Sequence, residues 1–175
     1  MEFRRRLYFL IALLLSANAQ ARVLMSQKDA LTLAFPDGAN VERRTAMLTD
    51  EQTRAAEDLA QSKLSSRVWT YYAGATGTAY FESHKVRTMN ETFMVVVNPD
   101  GTVRFIEILS FAEPDEYQAP KLWLKQFKGR PLDGELLPRR GLRNITGASI
   151  TSDAVTQGVR RILAVHQVLN AQPAK

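Results

Sequence analysis

The sequence contains no cysteine and only two histidines among its 175 residues. The missing thiols exclude structural disulfides, iron–sulfur clusters, cysteine-ligated zinc and the attachment of a c-type haem. Neither His84 nor His166 stands at a metal-binding spacing, so no metal site is predicted. Phosphate-binding loops, dinucleotide-binding glycine motifs and an Asp/His series beside a serine are also missing. Hydrolysis by a serine nucleophile and binding of NAD or ATP therefore have no support.

Long hydrophobic runs are missing too. Residues 7–15 are nine consecutive apolar residues, well below the roughly 20 that a membrane-spanning helix needs. The run follows basic residues from Arg4 to Arg6 and precedes Ala-x-Ala sites that end at Ala19 and Ala21. This order is typical of a secretory signal peptide, so we expect residues 1–21 to be cleaved and the protein to be periplasmic. The alternative is an uncleaved segment that anchors the protein to the membrane.

The remaining composition is that of an ordinary globular protein. Hydrophobic residues make up 45% and charged residues 23%, and the length fits a single domain. The net charge of +5 falls to +3 without residues 1–21, because that segment holds three of the 23 basic residues and one acid. No basic stripe with interleaved aromatic residues is present, so nucleic acid is not a predicted partner.

Residues 22–77 are interpreted as an N-terminal part with one helix. That helix is predicted to start at an N-cap, Thr49 or Asp50, and to run to about Leu64. Residues 68–72 and 78–81 are short aromatic and β-branched runs, which predict strands.

Residues 78–170 are interpreted as the core. Two β-type runs, 92–97 and 102–109, flank an Asn-Pro-Asp-Gly turn and predict a hairpin. A short helix is predicted over 119–127, and apolar residues at helical spacing predict a last helix over about 152–169. The predicted fold class is therefore α+β: one domain, in which an antiparallel sheet with a hairpin packs against helices.

Hydroxyl side chains are concentrated in the segment just before this last helix. Thr146-Gly147-Ala148-Ser149 is followed by Thr151 and Ser152. The small residues allow close approach to the backbone, and the unpaired N–H groups of a helix start stabilise a phosphate. The simpler interpretation is that Thr151 or Ser152 only caps the helix.

This segment resembles the flavinylation motif of the FMN-binding domain family, S/T-G-A-T/S followed by x-T-S. The family includes covalent-FMN subunits of the sodium-pumping NADH:quinone reductase and of Rnf-type electron-transport complexes. Residues 80–88, 91–97 and 123–129 also look like family segments. The resemblance implies that Ser149 is esterified to the phosphate of FMN by a periplasmic flavin transferase, which uses FAD and Mg²⁺.

The resemblance also implies a set of cofactor-binding residues. Arg143 stands where the family often has an acid, and with Arg139 and Arg140 it either contacts the phosphate or an acidic redox partner, or forms a solvated loop. Trp123 either stacks on the flavin or packs in the core. The implied cofactor-binding residues are Ser149, Thr146, Gly147, Ala148, Thr151, Ser152, Glu91 and Thr92.

The predicted function is electron transfer by covalently held FMN, with the flavin transferase and membrane or periplasmic redox proteins as partners. A tethered cofactor cannot diffuse away outside the cytoplasm, and its redox chemistry is its own. Two alternatives stay open: an electron-feeding subunit of a separate periplasmic reductase, and an assembly or interaction module that has the fold without the flavin.

Overall fold

The computed structural model describes residues 22–38 and 40–171. The predicted signal peptide, residues 1–21, lies outside the described residues. Within the described ranges, no helix is both long enough and apolar enough to cross a membrane.

The fold is built on a six-stranded antiparallel sheet. The order across the sheet is β1-β6-β5-β4-β3-β2, so the strands of both predicted segments share one sheet. This confirms the α+β fold class. The strands are β1 (Arg22–Val23), β2 (Glu42–Met47), β3 (Val68–Gly74), β4 (Gly77–Lys85), β5 (Asn90–Val97) and β6 (Val103–Phe111).

Helices cover both faces of this sheet. They are α1 (Gln27–Ala34), α2 (Asp50–Ala60), α3 (Lys121–Leu124) and α4 (Ser149–Asn170), with 3₁₀ turns at Asp115–Tyr117 and Lys125–Phe127. Successive side chains of a strand point to opposite faces. In β5, Phe93 and Val95 accordingly join the main core with α4, whereas Met94 and Val96 join a smaller cluster with α1. The central strands are therefore buried on both sides.

The predicted hairpin is confirmed by β5 and β6, which pair antiparallel around the Asn-Pro-Asp-Gly turn. The prediction of a single helix in residues 22–77 is wrong, because α1 precedes α2. Only Ala30 and Ala34 of α1 are buried, so its apolar pattern is weak. Strand β2 was missed because it is a polar edge strand whose side chains are almost all exposed.

Helix boundaries differ from the prediction for local reasons. Thr49 caps α2 through a complete capping box, as predicted, but α2 ends at Ala60 because Gln61 adopts a left-handed backbone with φ 53°. The helix predicted over 119–127 divides into α3 and a 3₁₀ turn. The last helix begins three residues earlier than predicted, at Ser149.

Candidate functional site

Ser149 is the exposed first residue of α4, a helix of 22 residues. The residue before it, Ala148, is the N-cap, and no side chain caps this helix. By contrast, α1 is capped by Ser26 and α2 by Thr49. The first N–H groups of α4 are therefore open to an anion, which the partial positive charge of the helix start favours.

Two other hydroxyl groups of the motif, those of Thr151 and Ser152, are buried and form hydrogen bonds within the protein. The Thr151 hydroxyl donates to the Tyr117 carbonyl at 2.6 Å, and the Ser152 hydroxyl donates to the Ser149 carbonyl at 2.9 Å. Thr151 is 1% exposed and Ser152 is 3% exposed. The interpretation of these two residues as N-caps is therefore wrong. They anchor the first turn of α4, while Thr146 and Ser149 face solvent.

A small cleft of about 100 Å³ opens beside Ser149. Its other walls include Arg87 and Tyr117, with the Arg87 guanidinium 4.5 Å above the centre of the Tyr117 ring. Gly147 forms the rim with a left-handed backbone, φ +82°. Sequence reasoning missed Arg87 and Tyr117, because they reach the cleft only through the fold; the likeness of residues 80–88 to the family was the nearest signal.

One carboxylate holds the Arg87 wall in place. Glu113 Oε1 accepts hydrogen bonds from the backbone N–H groups of Arg87 at 3.2 Å, Thr88 at 2.6 Å and Met89 at 2.9 Å. These backbone donors, that of Thr88 first, hold the pKa of the Glu113 carboxyl below its usual value. The connection between β4 and β5 is thereby fixed at the cleft.

A wider groove of about 550 Å³ lies on the other side of the motif. Its wall contains Leu122, Trp123, Ile145 and Thr146, so it reaches the motif itself. The Trp123 indole N–H donates to the Arg143 carbonyl, which ties α3 to the loop before the motif. The volume lies in the range of small-molecule sites and the lining is largely apolar.

The structure places Glu91 and Thr92 apart from these two openings. Glu91 is completely buried, and its Oε2 lies 3.1 Å from His84 Nε2. The Thr92 hydroxyl donates to the Ser83 hydroxyl at 3.1 Å. Strand β5 is central, so exposure at a sheet edge, the alternative for these two residues, is wrong. Their contact with a flavin stays a prediction.

Glu91 belongs to a buried network of charges between the sheet and α4. Arg161 pairs with Glu82, and His84 lies between Glu82 and Glu91. Burial alone would lower the pKa of His84, but hydrogen bonds to the two carboxylates outweigh it and raise the pKa above its usual value. Burial would likewise raise the pKa of Glu82, yet His84 and Arg161 lower it.

A cavity of about 700 Å³ lies at the opposite end of α4 and is lined by His166 and Asn170. The end of the helix is roughly 30 Å from Ser149 at 1.5 Å per residue. His166 is engaged there, with Nδ1 3.0 Å from the Tyr80 hydroxyl and Nε2 3.2 Å from the Asn170 amide nitrogen. This cavity is larger than the cleft, but it is remote from the motif.

The fold is therefore an α+β protein in which a long helix covers an antiparallel sheet. The uncapped start of that helix lies beside an exposed serine and a small cleft lined by an arginine. Residues 89–164 match the FMN-binding domain family. The match runs from β5 into α4 and includes Ser149. The match supports flavin binding by this part of the chain. No curated protein and no solved structure matches the chain.

Proposed function

We propose that the protein is a periplasmic electron carrier that holds FMN covalently, as a phosphoester on Ser149. The observation that carries this proposal is the exposed Ser149 hydroxyl at the uncapped start of α4. The helix start provides unpaired N–H groups for the phosphate, and the acceptor oxygen belongs to the same turn. Of the three helices with at least eight residues, α4 alone lacks a side-chain cap within the described part of the chain.

Burial distinguishes Ser149 from its neighbours as an acceptor. A transferase has to reach the hydroxyl from outside, and Thr151 and Ser152 are buried and already donate hydrogen bonds. Thr146 is exposed but lies before Gly147, outside the helix. Ser149 is therefore the hydroxyl that combines access with the helix start.

The residues around Ser149 suit both the phosphate and the ring system of FMN. Arg87 in the cleft supplies a cation for the phosphate, and the cleft is too small for a ring system. The groove beside Thr146 offers Trp123, Leu122 and Ile145 as apolar contacts for a flat ring. Bound FMN supplies one- and two-electron redox chemistry, and the protein positions it and keeps it from diffusing away.

Attachment requires a transferase and a flavin donor from outside this chain. With FAD as donor, Ser149 Oγ forms a bond to the FMN phosphorus, the pyrophosphate bond breaks, AMP leaves and the hydroxyl proton passes to a base. No general base lies in the cleft among the described residues, since its titratable lining groups are Arg87 and Tyr117. The transferase therefore provides the base and the Mg²⁺, while this chain presents the hydroxyl.

The proposal is tested by producing the protein together with a flavin transferase and measuring its intact mass after denaturation. We expect one added FMN in the unaltered protein and in Ser149→Thr, and none in Ser149→Ala. Thr146→Ala serves as the matched control for loss of an exposed motif hydroxyl and is expected to keep the FMN. If FMN persists in Ser149→Ala, the acceptor assignment is wrong; if none of the four proteins carries it, the covalent proposal is wrong.

The periplasmic location rests on residues 1–21 and needs its own measurement. We expect the complete chain to be recovered in the periplasmic fraction with residues 1–21 removed, as read by N-terminal sequencing. A variant that starts at Arg22 after an initiating methionine should stay in the cytoplasm and remain without FMN. Flavin attachment in that cytoplasmic variant would contradict an extracytoplasmic maturation.

A further inference from the structure

Strand β2 forms one edge of the sheet, and no described strand pairs with its outer side. The backbone N–H of Leu48 donates to the Arg67 carbonyl at 2.9 Å, in register with the pairing of β2 and β3. In an antiparallel pair every second residue bonds to the partner strand, and the residues between them point their N–H and C=O groups away. The residues of β2 whose backbone groups point outward are therefore Arg43, Thr45 and Met47.

This edge lacks most of the features that keep sheets from pairing with another strand. Natural edges are protected by short strands, proline, bulges, charges or a covering element. Strand β1 at the opposite edge has two residues, whereas β2 has six, contains no proline and pairs with β3 without a register shift. Among the described residues, no hydrogen bond reaches the outward groups. Arg44 is neutralised by Glu42 at 2.7 Å, which leaves Arg43 as the one cation of the strand without a carboxylate there.

The sequence of β2 favours one two-fold pairing with a second copy. Two strands related by a two-fold axis run antiparallel, and they hydrogen-bond only where outward-pointing residues face each other. Centring the pair on any of residues 42–44 sets two like charges opposite each other, which is unfavourable. Centring it on Ala46 or Met47 leaves Arg43 without a partner. A centre at Thr45 pairs Thr45 with its own copy and Arg43 with Met47 of the second copy.

A row of threonines crosses the strands at this centre. The Thr45 and Thr70 hydroxyl oxygens lie 3.2 Å apart on neighbouring strands. The pairing centred on Thr45 would continue them into a row of four threonine side chains across the two copies. Cross-strand threonine pairs form hydrogen bonds that stabilise a sheet. The side chains at the axis are therefore suited to each other.

An apolar groove and an exposed apolar pair lie at opposite ends of β2. The groove, of about 530 Å³, lies between α1 and the sheet, and its apolar lining consists of Leu31, Phe35, Val41 and Tyr72. Tyr72 stands opposite Arg43 in the sheet. At the other end Met47 and Val68 stand opposite each other and are 73% and 51% exposed. The two-fold axis brings Met47 of each copy opposite Arg43 of the other, and so next to the groove.

From this self-complementarity we propose that β2 is an interface between two copies of this chain, which joins two six-stranded sheets into one continuous sheet. The proposal does not rest on flavin binding. The groove beside Thr146 adjoins α3, which packs against β6, and β6 lies four strand positions from β2, roughly 19 Å. Contact through one strand of six residues is small, so we expect weak, concentration-dependent association.

The first test measures self-association of the purified protein by sedimentation equilibrium, from about 1 μM to about 1 mM. Thr45→Arg sets two like charges opposite each other at the axis, and we expect the dissociation constant of the dimer to rise at least about 10-fold. Thr76→Arg makes the same change of charge in the exposed turn between β3 and β4 and should change that constant less than about 2-fold. A protein that stays monomeric throughout, or equal effects of both variants, would overturn the interface.

The second test reads the register and does not depend on the stability of Thr45→Arg. The chain has no cysteine, so a single introduced cysteine reports the contact directly. In the proposed pairing the two Cα atoms of residue 45 lie about 5.5 Å apart, within reach of a disulfide, and those of residue 44 lie about 7–8 Å apart, beyond it. With oxidised glutathione we expect Thr45→Cys to form cross-linked dimers at least about 10-fold faster than the exposed control Arg44→Cys. Equal rates, or faster cross-linking of Arg44→Cys, would show that the proposed pairing is wrong.

Discussion

Arg160 of α4 is a fully enclosed cation that has no carboxylate partner among the described residues. It is 2% exposed, and its guanidinium donates to the carbonyls of Leu59 and Ala60 at the end of α2. It also donates to the carbonyls of Asp133 and Leu136, at 2.7 and 3.0 Å. The last carbonyls of a helix lack partners within the helix, so Arg160 satisfies the end of α2 and holds the 133–136 loop at once.

Replacing this side chain should therefore be costly. In Arg160→Met, four carbonyls lose their donor while the volume of the side chain is largely kept. We expect the free energy of unfolding to fall by about 3 kcal/mol, because unsatisfied buried groups are expensive. Urea unfolding followed by circular dichroism measures this. The exposed Arg54→Met is the control and should change stability by no more than about 0.5 kcal/mol; a similar value for Arg160→Met would show that the carbonyls find water instead.

Among single residues, the sequence identifies only those that belong to a recognisable motif. Ser149 was found because its neighbours form a recognisable pattern next to a helix. Arg87 and Tyr117 come from other parts of the chain and meet Ser149 only after the sheet has formed. Arg160 looks like an ordinary helix arginine, because its partners are backbone carbonyls that every residue has. Contacts between a side chain and backbone carbonyls therefore cannot be predicted from the residue types.

Helix α4 is joined to the sheet by close packing and by buried charge. A glycine in the interior of a helix indicates close packing against a neighbouring element. An added Cβ at Gly158 of α4 would lie 2.7 Å from the Phe93 ring and 2.9 Å from Glu82 Oε1. The helix thus approaches β4 and β5 where the network of Glu82, His84 and Arg161 lies. This approach fixes the axis of α4 and hence the position of its first turn.

The charged network gives stability a pH dependence with a definite sign. The folded-state pKa of His84 is raised, so its contribution is present below its unfolded value, about 6.5, and is lost as pH rises through the folded pKa. Thermal melts of His84→Gln should therefore show lower stability near pH 6 than the unaltered protein. The gap should close as pH rises above the folded pKa, because His84 is then neutral in both states.

The second histidine supplies the control with the opposite sign. Burial lowers the pKa of His166, so its neutral form is the stable one and stability is lost as pH falls below about 6.5. His166→Gln should reduce the fall in stability on the acid side and leave the slope of the profile on the alkaline side unaltered. If His84→Gln instead shifted the whole profile by a constant amount, the network would be neutral packing without proton linkage.

Elements with strong local signals were predictable, and those fixed by their neighbours were not. The β5–β6 hairpin and the Thr49 cap of α2 carry local signals, in alternating residues and a capping side chain. The start of α4 at Ser149 was placed three residues late, because hydroxyl residues normally mark a cap. Helix α4 thus lacks the side-chain cap that its hydroxyl residues predict. Exceptions of this kind to local sequence preferences are expected at functional sites.

The whole molecule depends on strands that lie outside the segment matching the family. Residues 89–164 contain β5 and β6, but the sheet continues through β4 and β3 to β2. Leu48 and Trp69, at 0% and 6% exposure, lie in the same core as α4. The boundary between 77 and 78 in the sequence interpretation therefore divides one hydrophobic core.

A fragment of residues 78–171 should not fold as a domain. It lacks α2, β2 and β3, so the main core and the guanidinium of Arg160 would be exposed. We expect the fragment to show no cooperative thermal transition and poorly dispersed amide proton resonances. Residues 22–171 should show a cooperative transition and well-dispersed resonances. Cooperative melting of the fragment would instead establish 78–170 as an independent unit.

The Glu113 carboxylate links the two walls of the cleft from outside it. It fixes Arg87 through three backbone donors, and the next residue, Pro114, accepts the N–H of Tyr117 at 2.9 Å. The Arg87 wall of the cleft is thus held by a side chain that does not itself line the cleft. A mutation of Glu113 would therefore change the shape of the cleft without altering any residue that lines it.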